Sequence, residues 1–154
     1  MNNEILSTKT VTKAYDMENS RLEVLKGVDI SIQKGEAVCI MGVSGAGKST
    51  LLHILGTLDM PSFGKVYYQG EDLTRKTDEE LATFRNKKMG FVFQFHHLLP
   101  ELTALENVCL PARVGGASKS DAEKKAKVLM QRLGMDHREH HYPSEMSGGE
   151  RRRE

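Results

Sequence analysis

Gly42-Val43-Ser44-Gly45-Ala46-Gly47-Lys48-Ser49 decides how this 154-residue chain folds. The stretch matches G-x-x-x-x-G-K-[ST] at every position, and each residue type has a chemical reason to be there. A polyphosphate needs many hydrogen-bond donors close together. Glycines let backbone N–H groups turn inward and approach with no Cβ in the way. A helix that starts at Lys48 points its positive end at the same anion. Lys48 adds a full charge near the β/γ-phosphates, Ser49 offers a hydroxyl to Mg²⁺, and Thr50 can donate to a phosphate oxygen.

The flanking residues fit this reading. Ala37-Val38-Cys39-Ile40-Met41 is short, apolar and bounded by glycines, as expected of a strand buried on both faces. After the loop, Leu51, Leu52, Leu55 and Leu58 share one apolar side of the expected helix, which Pro61 and Gly64 end. Upstream, Ile5 to Val11 and Val28 to Ile32 read as short strands, and downstream so do Lys65 to Gln69 and Gly90 to Gln94. Thr77–Glu80, Thr103–Glu106 and Ser120–Glu123 have capping-box spacing and start helices. Ala122, Ala126, Leu129 and Leu133 form a core-facing stripe on the last of these, stopped by Gly134. Strands, loop and helix, strand, then a helical region point to an α/β nucleotide-binding core with a helical insertion.

Composition excludes other classes. Hydrophobic residues make up 38% and charged residues 28%, with a net charge of +1, so no global field argues for nucleic acid or anionic lipid. No apolar run approaches the roughly 20 residues of a membrane span. Met1-Asn2-Asn3-Glu4 has no basic region leading into an apolar stretch, so it does not read as a signal peptide. Cys39 and Cys109 read as two buried free thiols. His96, His97, His137, His140 and His141 show no zinc-ligand spacing. Arg151-Arg152-Arg153 reads as a charged helix face rather than a nucleic-acid patch.

The phosphate loop alone is shared by kinases, GTPases and motors. Ser147-Gly148-Gly149-Glu150, far downstream and after Pro143, narrows the class. Paired with the upstream loop, it closely resembles the signature motif of ABC ATPases, with Met146 where Leu is usual. A Ser hydroxyl and two Gly N–H groups at a helix start can grip a γ-phosphate. Gln94-Phe95-His96-His97-Leu98-Leu99-Pro100, Leu102 to Val108, and Asp136-His137-Arg138 leading to Pro143–Arg151 look very like the bacterial lipoprotein-releasing ATPases. Macrolide-export and cell-division ABC ATPases are less similar there.

The resemblance covers essentially the whole chain. It implies a P-loop core with an N-terminal antiparallel β subdomain (about 1–93 together) and a Q-loop with helical subdomain (about 94–154). It implies that Gly42, Val43, Ser44, Gly45, Ala46, Gly47, Lys48, Ser49 and Thr50 hold ATP, that Tyr15 stacks on adenine, and that Ser49 and Gln94 attend Mg²⁺. It further implies that Ser147, Gly148, Gly149 and Glu150 act in trans on the ATP of a second chain. The partners it implies are therefore a second copy and transmembrane permease subunits, with no direct membrane insertion and no nucleic acid. The place it implies is the cytoplasmic face of the bacterial inner membrane.

The family's Walker B Asp-Glu strand, D-loop and switch histidine have no counterpart before Glu154, so no catalytic residue is expected in the chain and the C-terminal part of the core sheet is expected to be missing. Little or no hydrolysis by this chain alone is expected, because the general base typically contributes about 10²–10⁴-fold. The Ala37–Met41 and Gly90–Phe93 runs are expected to keep unpaired edges, making the chain marginal and aggregation-prone. A non-catalytic nucleotide-binding remnant is the rival reading. A small-substrate kinase leaves Ser147–Glu150 unexplained, and a DNA-repair ABC ATPase would carry inserted coiled coils or zinc modules.

Overall fold

Glu4–Met17 is one strand, β1, and the sheet is built on both of its edges. Its Thr-rich sequence, with Ile5, Val11 and Tyr15, suits a pleated, half-buried surface. β2 (Ser20–Val28) returns antiparallel along its second half, and β3 (Ser31–Gln33) pairs with Glu4 to Ser7. β4 (Phe63–Tyr68) lies on the opposite edge, antiparallel, and β5 (Glu71–Asp72) completes the order β2-β1-β4-β5. Gln69 and Gly70, with φ of 50° and 82°, make the two-residue turn whose twist matches an antiparallel hairpin. This computed structural model describes residues 3–18, 20–94 and 97–151, in two compact units, Met1–Arg85 and Asn86–Glu154.

The first unit is the sheet with two helices. α1 (Lys48–Leu55) buries Leu51, Ile54 and Leu55 with Val11 of β1, Leu25 of β2 and Val66 of β4. α2 (Asp78–Lys88) adds Leu81 to that core and sets Phe84 edge-on to Tyr68 at 5.0 Å. Its start is the expected capping box, with Thr77 N–H donating to Glu80 at 2.8 Å and Glu80 N–H to Thr77 Oγ1 at 3.3 Å.

Several expectations for this unit are corrected. Val28 to Ile32 is not one strand, because the buried Thr8 hydroxyl donates to Val28 O and accepts from Ile30 N–H, both at 2.9 Å, in the gap between β2 and β3. α1 ends at Leu55 with Gly56 as its cap, well before Pro61, and both Leu52 and Leu58 are exposed. Ile54, rather than Leu52, completes the buried stripe, because a helix face three or four residues apart runs Leu51, Ile54, Leu55. Ala37–Met41 and Gly90–Phe93 are not strands. A strand exists by hydrogen bonding to a neighbour, and among the described residues no segment pairs with either run. Val38, Met41 and Val92 are accordingly exposed, and so is Cys39, which had read as buried.

The second unit is helical. α3 (Ala104–Val114) begins with the expected Thr103–Glu106 box, and its Ala104 and Leu105 amides donate to His141 O and Glu139 O at 2.8 and 3.1 Å. α4 (Lys119–Arg132) is capped by Ser118 with Asp121, not by Ser120 with Glu123. Its buried stripe is Ala122, Ala126 and Met130, whereas Leu129 and Leu133 are exposed. Met135, Met146 and Cys109 close this core, and burial pushes the Cys109 thiol up from its ordinary value. α5 (Gly148–Arg151) ends the described chain. Among the described residues no helix is long and apolar enough to cross a membrane.

Candidate functional site

The loop between Met41 and α1 is shaped by its glycines and its lysine. Gly45 and Gly47 have φ of 80° and 86°, in the left-handed region that side chains other than glycine's rarely enter. Gly47 is constrained twice over. A Cβ there would lie 3.0 Å from Leu25 Cδ2 and Val24 Cγ1 and 3.1 Å from Val24 O, so this end of the loop sits directly on β2. Ala46 N–H closes a turn onto Val43 O at 3.2 Å. Lys48 reaches back across the loop, its Nζ donating to Gly42 O at 2.9 Å and Val43 O at 2.7 Å.

α1 starts without a local acceptor. Its cap, Gly47, has no side chain to offer, and its first turn holds no carboxylate. The opening amides of a helix have no intrahelical partner and carry the positive end of its dipole. Lys48, the first residue of α1, carries its ammonium back to the Gly42 and Val43 carbonyls, and Ser49 is exposed on the same first turn. These are the donors a polyphosphate requires, so the residues present fit the nucleotide expected from the motif. Lys48 can exchange two neutral carbonyls for phosphate oxygens, which make stronger, charge-assisted bonds. Thr50 is half-buried in the same turn.

Tyr15 stands on β1 opposite Leu22 of β2. Gly47 touches Val24 and Leu25 on that same strand, so at 3.2–3.4 Å per strand residue the loop and Tyr15 are on the order of 10 Å apart. The Tyr15 hydroxyl donates to Asp59 Oδ2 at 3.1 Å, and Lys13 Nζ bonds Asp59 Oδ1 at 2.6 Å. Burial pushes the Asp59 carboxyl up, but hydrogen bonds from Lys13, Tyr15 and the Met60 amide outweigh it and hold it below its ordinary value. Sequence reading missed Asp59 and Lys13. The signal was only spatial, because a hairpin strand and a loop after a helix must first be brought together.

In the second unit, Gln94 is exposed at a bend, after Phe91 and Phe93 stacked at 5.5 Å. Phe95 and His96 of the Gln94–Pro100 segment lie outside the described residues, as do Arg152, Arg153 and Glu154. Asn107 of α3 was not singled out in the sequence, yet it pins the loop that leads into its own helix. It accepts from Leu99 N–H at 2.9 Å and donates to Leu99 O, Leu102 O and Thr103 O at 3.0 to 3.1 Å.

Ser147 to Glu150 is a helix start with a reciprocal cap. Ser147 N–H donates to Glu150 Oε2 at 2.7 Å, and Glu150 N–H donates to Ser147 Oγ at 3.3 Å. Arg138 Nε donates to Glu150 Oε1 at 2.8 Å. The carboxylate expected to act in trans is thus also a partner within its own chain. The bonds from Ser147, side chain and backbone, and then from Arg138 hold the Glu150 carboxyl down at about 2, from 4.5. A depressed carboxylate stabilises the fold above its unfolded value and stops doing so as protons are added. The difference in urea midpoint between wild type and Glu150→Gln is therefore expected to be fully present above pH 4.5 and to close as pH falls toward about 2. A gap that does not change with pH would show that these bonds do not hold the charge. Gly148 and Gly149 are open, since a Cβ at either would meet nothing within 4 Å.

Residues 25–154 match the family model described as ABC transporter. A lipoprotein-releasing system ATP-binding protein LolD of Geobacter metallireducens is 50% identical over 149 residues, which are 97% of this chain and 66% of that protein. The protein of the same name from Cytophaga hutchinsonii is 52% identical over 150 residues, 97% of this chain and 67% of that protein. Among solved structures, the dimeric structure of MJ0796, a bacterial ABC transporter cassette, superposes with a TM-score of 0.89 at 40% identity, over 97% of this chain and 66% of that one. The dimeric post-hydrolysis state of MJ0796 bound to ADP and Pi gives the same figures. The chain spans about two thirds of the length of the relatives it matches.

Proposed function

The chain belongs to the ABC transporter family, and from that membership we propose that it is the ATP-binding, energy-coupling subunit of a transporter that releases lipoproteins from the bacterial inner membrane. The observation that carries the nucleotide part is the Lys48 ammonium bridging the Gly42 and Val43 carbonyls beside an uncapped α1. Family membership implies nucleotide binding with Mg²⁺; ATP is the finer reading. Gly42 to Thr50 bind the phosphates, Tyr15 takes the base, and Ser49 and Gln94 are the oxygen donors assigned to Mg²⁺. Mg²⁺, when bound, supplies charge that offsets the β- and γ-phosphates. Gln94's part rests on its place at the end of the Gly90–Phe93 run.

Two chains are proposed to pair on the cytoplasmic face, with Ser147 to Glu150 of one facing the triphosphate held by the other and permease subunits above them. Dimeric MJ0796 supports the pairing, and likeness to the LolD proteins supports the cargo. The open Gly148 and Gly149 add support, since nothing among the described residues of their own chain lies within 4 Å of a Cβ there. The same openness supplies a clean test. A Cβ at Gly149 meets nothing within 4 Å, and the chain's own phosphate loop is untouched by the change, so Gly149→Arg is expected to bind Mg-ATP as wild type does. In analytical ultracentrifugation at saturating Mg-ATP the wild-type chain is expected to sediment as a dimer and Gly149→Arg as a monomer. A Gly149→Arg chain that dimerises equally well sinks the pairing.

A further inference from the structure

The segment after α1 is a strap between the two ends of the proposed nucleotide site. Leu58 N–H and Asp59 N–H both donate to His53 O, at 2.8 and 3.3 Å, so Asp59 is fastened to the last turn of α1. On its other side the segment is sewn to β1. Ser62 N–H donates to Thr12 O at 2.9 Å, Ala14 N–H donates to Ser62 Oγ at 3.0 Å, and Lys13 Nζ donates to Met60 O at 2.7 Å. Asp59 is the centre of this arrangement, accepting from the Lys13 ammonium, the Tyr15 hydroxyl and the Met60 amide.

The geometry points to Asp59 as a positioning residue for nucleotide binding: with Lys13 it fixes the ring of Tyr15 in the plane that receives the base. This rests on the nucleotide reading above and goes beyond it. Three observations carry it. Tyr15 is 41% exposed, and its hydroxyl bond to Asp59 restrains this open residue. Lys13 Nζ lies 5.1 Å from the ring centroid, within cation–π range, where it takes one face and leaves the other for a planar ligand. The strap then fixes that free face relative to α1, whose other end opens on the phosphate loop. A helix of eight residues is about 12 Å long at 1.5 Å per residue, so base platform and phosphate cradle are held by one short rigid rod.

The test compares Mg-ATP with inorganic triphosphate, which uses the loop but has no base, by calorimetric titration of the full chain. Tyr15→Ala is expected to weaken Mg-ATP about tenfold, the size of one lost base stack, and to leave triphosphate unchanged. Asp59→Ala and Tyr15→Phe are each expected to weaken Mg-ATP several-fold with triphosphate unchanged, and the double variant to add nothing further. If Tyr15→Ala is selective for ATP while Asp59→Ala and Tyr15→Phe bind ATP as wild type does, the positioning role is overturned and the base reading stands. If Tyr15→Ala changes nothing, both fall. Should Asp59→Ala lose both ligands through misfolding, Tyr15→Phe decides, because it leaves the other bonds of Asp59 intact; wild-type ATP affinity in that variant overturns the proposal.

Discussion

Lys48→Ala is expected to weaken Mg-ATP binding by roughly two orders of magnitude while leaving the fold intact. The ammonium brings a full positive charge to the loop, held there by Gly42 O and Val43 O at 2.9 and 2.7 Å. Removing one member of a desolvated, hydrogen-bonded charge pair costs about 2–5 kcal/mol, and every 1.4 kcal/mol is tenfold in affinity. The half-buried setting of Lys48 argues for the lower part of that range. Stability should move little, because alanine is the best helix former and the lost carbonyl bonds are exposed. Lys48→Arg is expected to restore only part of the affinity, since the larger planar fork cannot sit as a point charge between two loop carbonyls. Calorimetric titration measures the affinities and thermal melting checks the fold. Wild-type affinity in Lys48→Ala would remove the basis for assigning the loop to phosphate.

What could be read in advance follows how local each signal is. Gly42 to Ser49 was legible because the motif carries its own chemistry, and Thr77 and Thr103 were legible because a capping box closes within one turn. The α4 stripe was misjudged by one position. Leu129 is more apolar than Met130, but the helix buries the residue that faces Ala122 and Ala126. The cap of α4 was misplaced for a similar reason: Asp121 at the third position serves Ser118 as a glutamate would. Ala37–Met41 failed for a different reason. Strand propensity belongs to the segment, but a strand belongs to a pair, and Ala37–Met41, expected to keep unpaired edges, has no pairing partner among the described residues. Asp59 could not be found at all, since its three donors come from β1 and its own loop.

Gly64 is the position where sequence reading and structure diverge most. Gly64→Ala is accordingly expected to cost roughly 3 kcal/mol or more, the scale of severe backbone and packing faults. In sequence it reads as the stop of the phosphate helix. In the structure it lies inside β4, at a bulge of the facing strand. Lys9 pairs with Lys65 and Thr12 with Phe63, so Thr10 and Val11 of β1 oppose Gly64 alone. The bulge turns Val11, fully buried, into the core beneath α1, and Thr10 takes a φ of 49° to allow it. The strands close on each other there. A Cβ on Gly64 would lie 2.3 Å from Thr10 O and 2.6 Å from Lys9 O, and its φ is 90°. Backbone cannot swing aside as a side-chain tip can, so relief requires β4 to move and Val66 to leave the core. Gly70→Ala separates the two penalties. Gly70 has a φ of 82° but nothing within 4 Å of its Cβ position, so it carries only the left-handed cost of about 1–2 kcal/mol. Urea denaturation of both variants measures the difference. If Gly64→Ala destabilises no more than Gly70→Ala, the close approach of β1 and β4 is not what holds Val11 and Val66 in the core with α1.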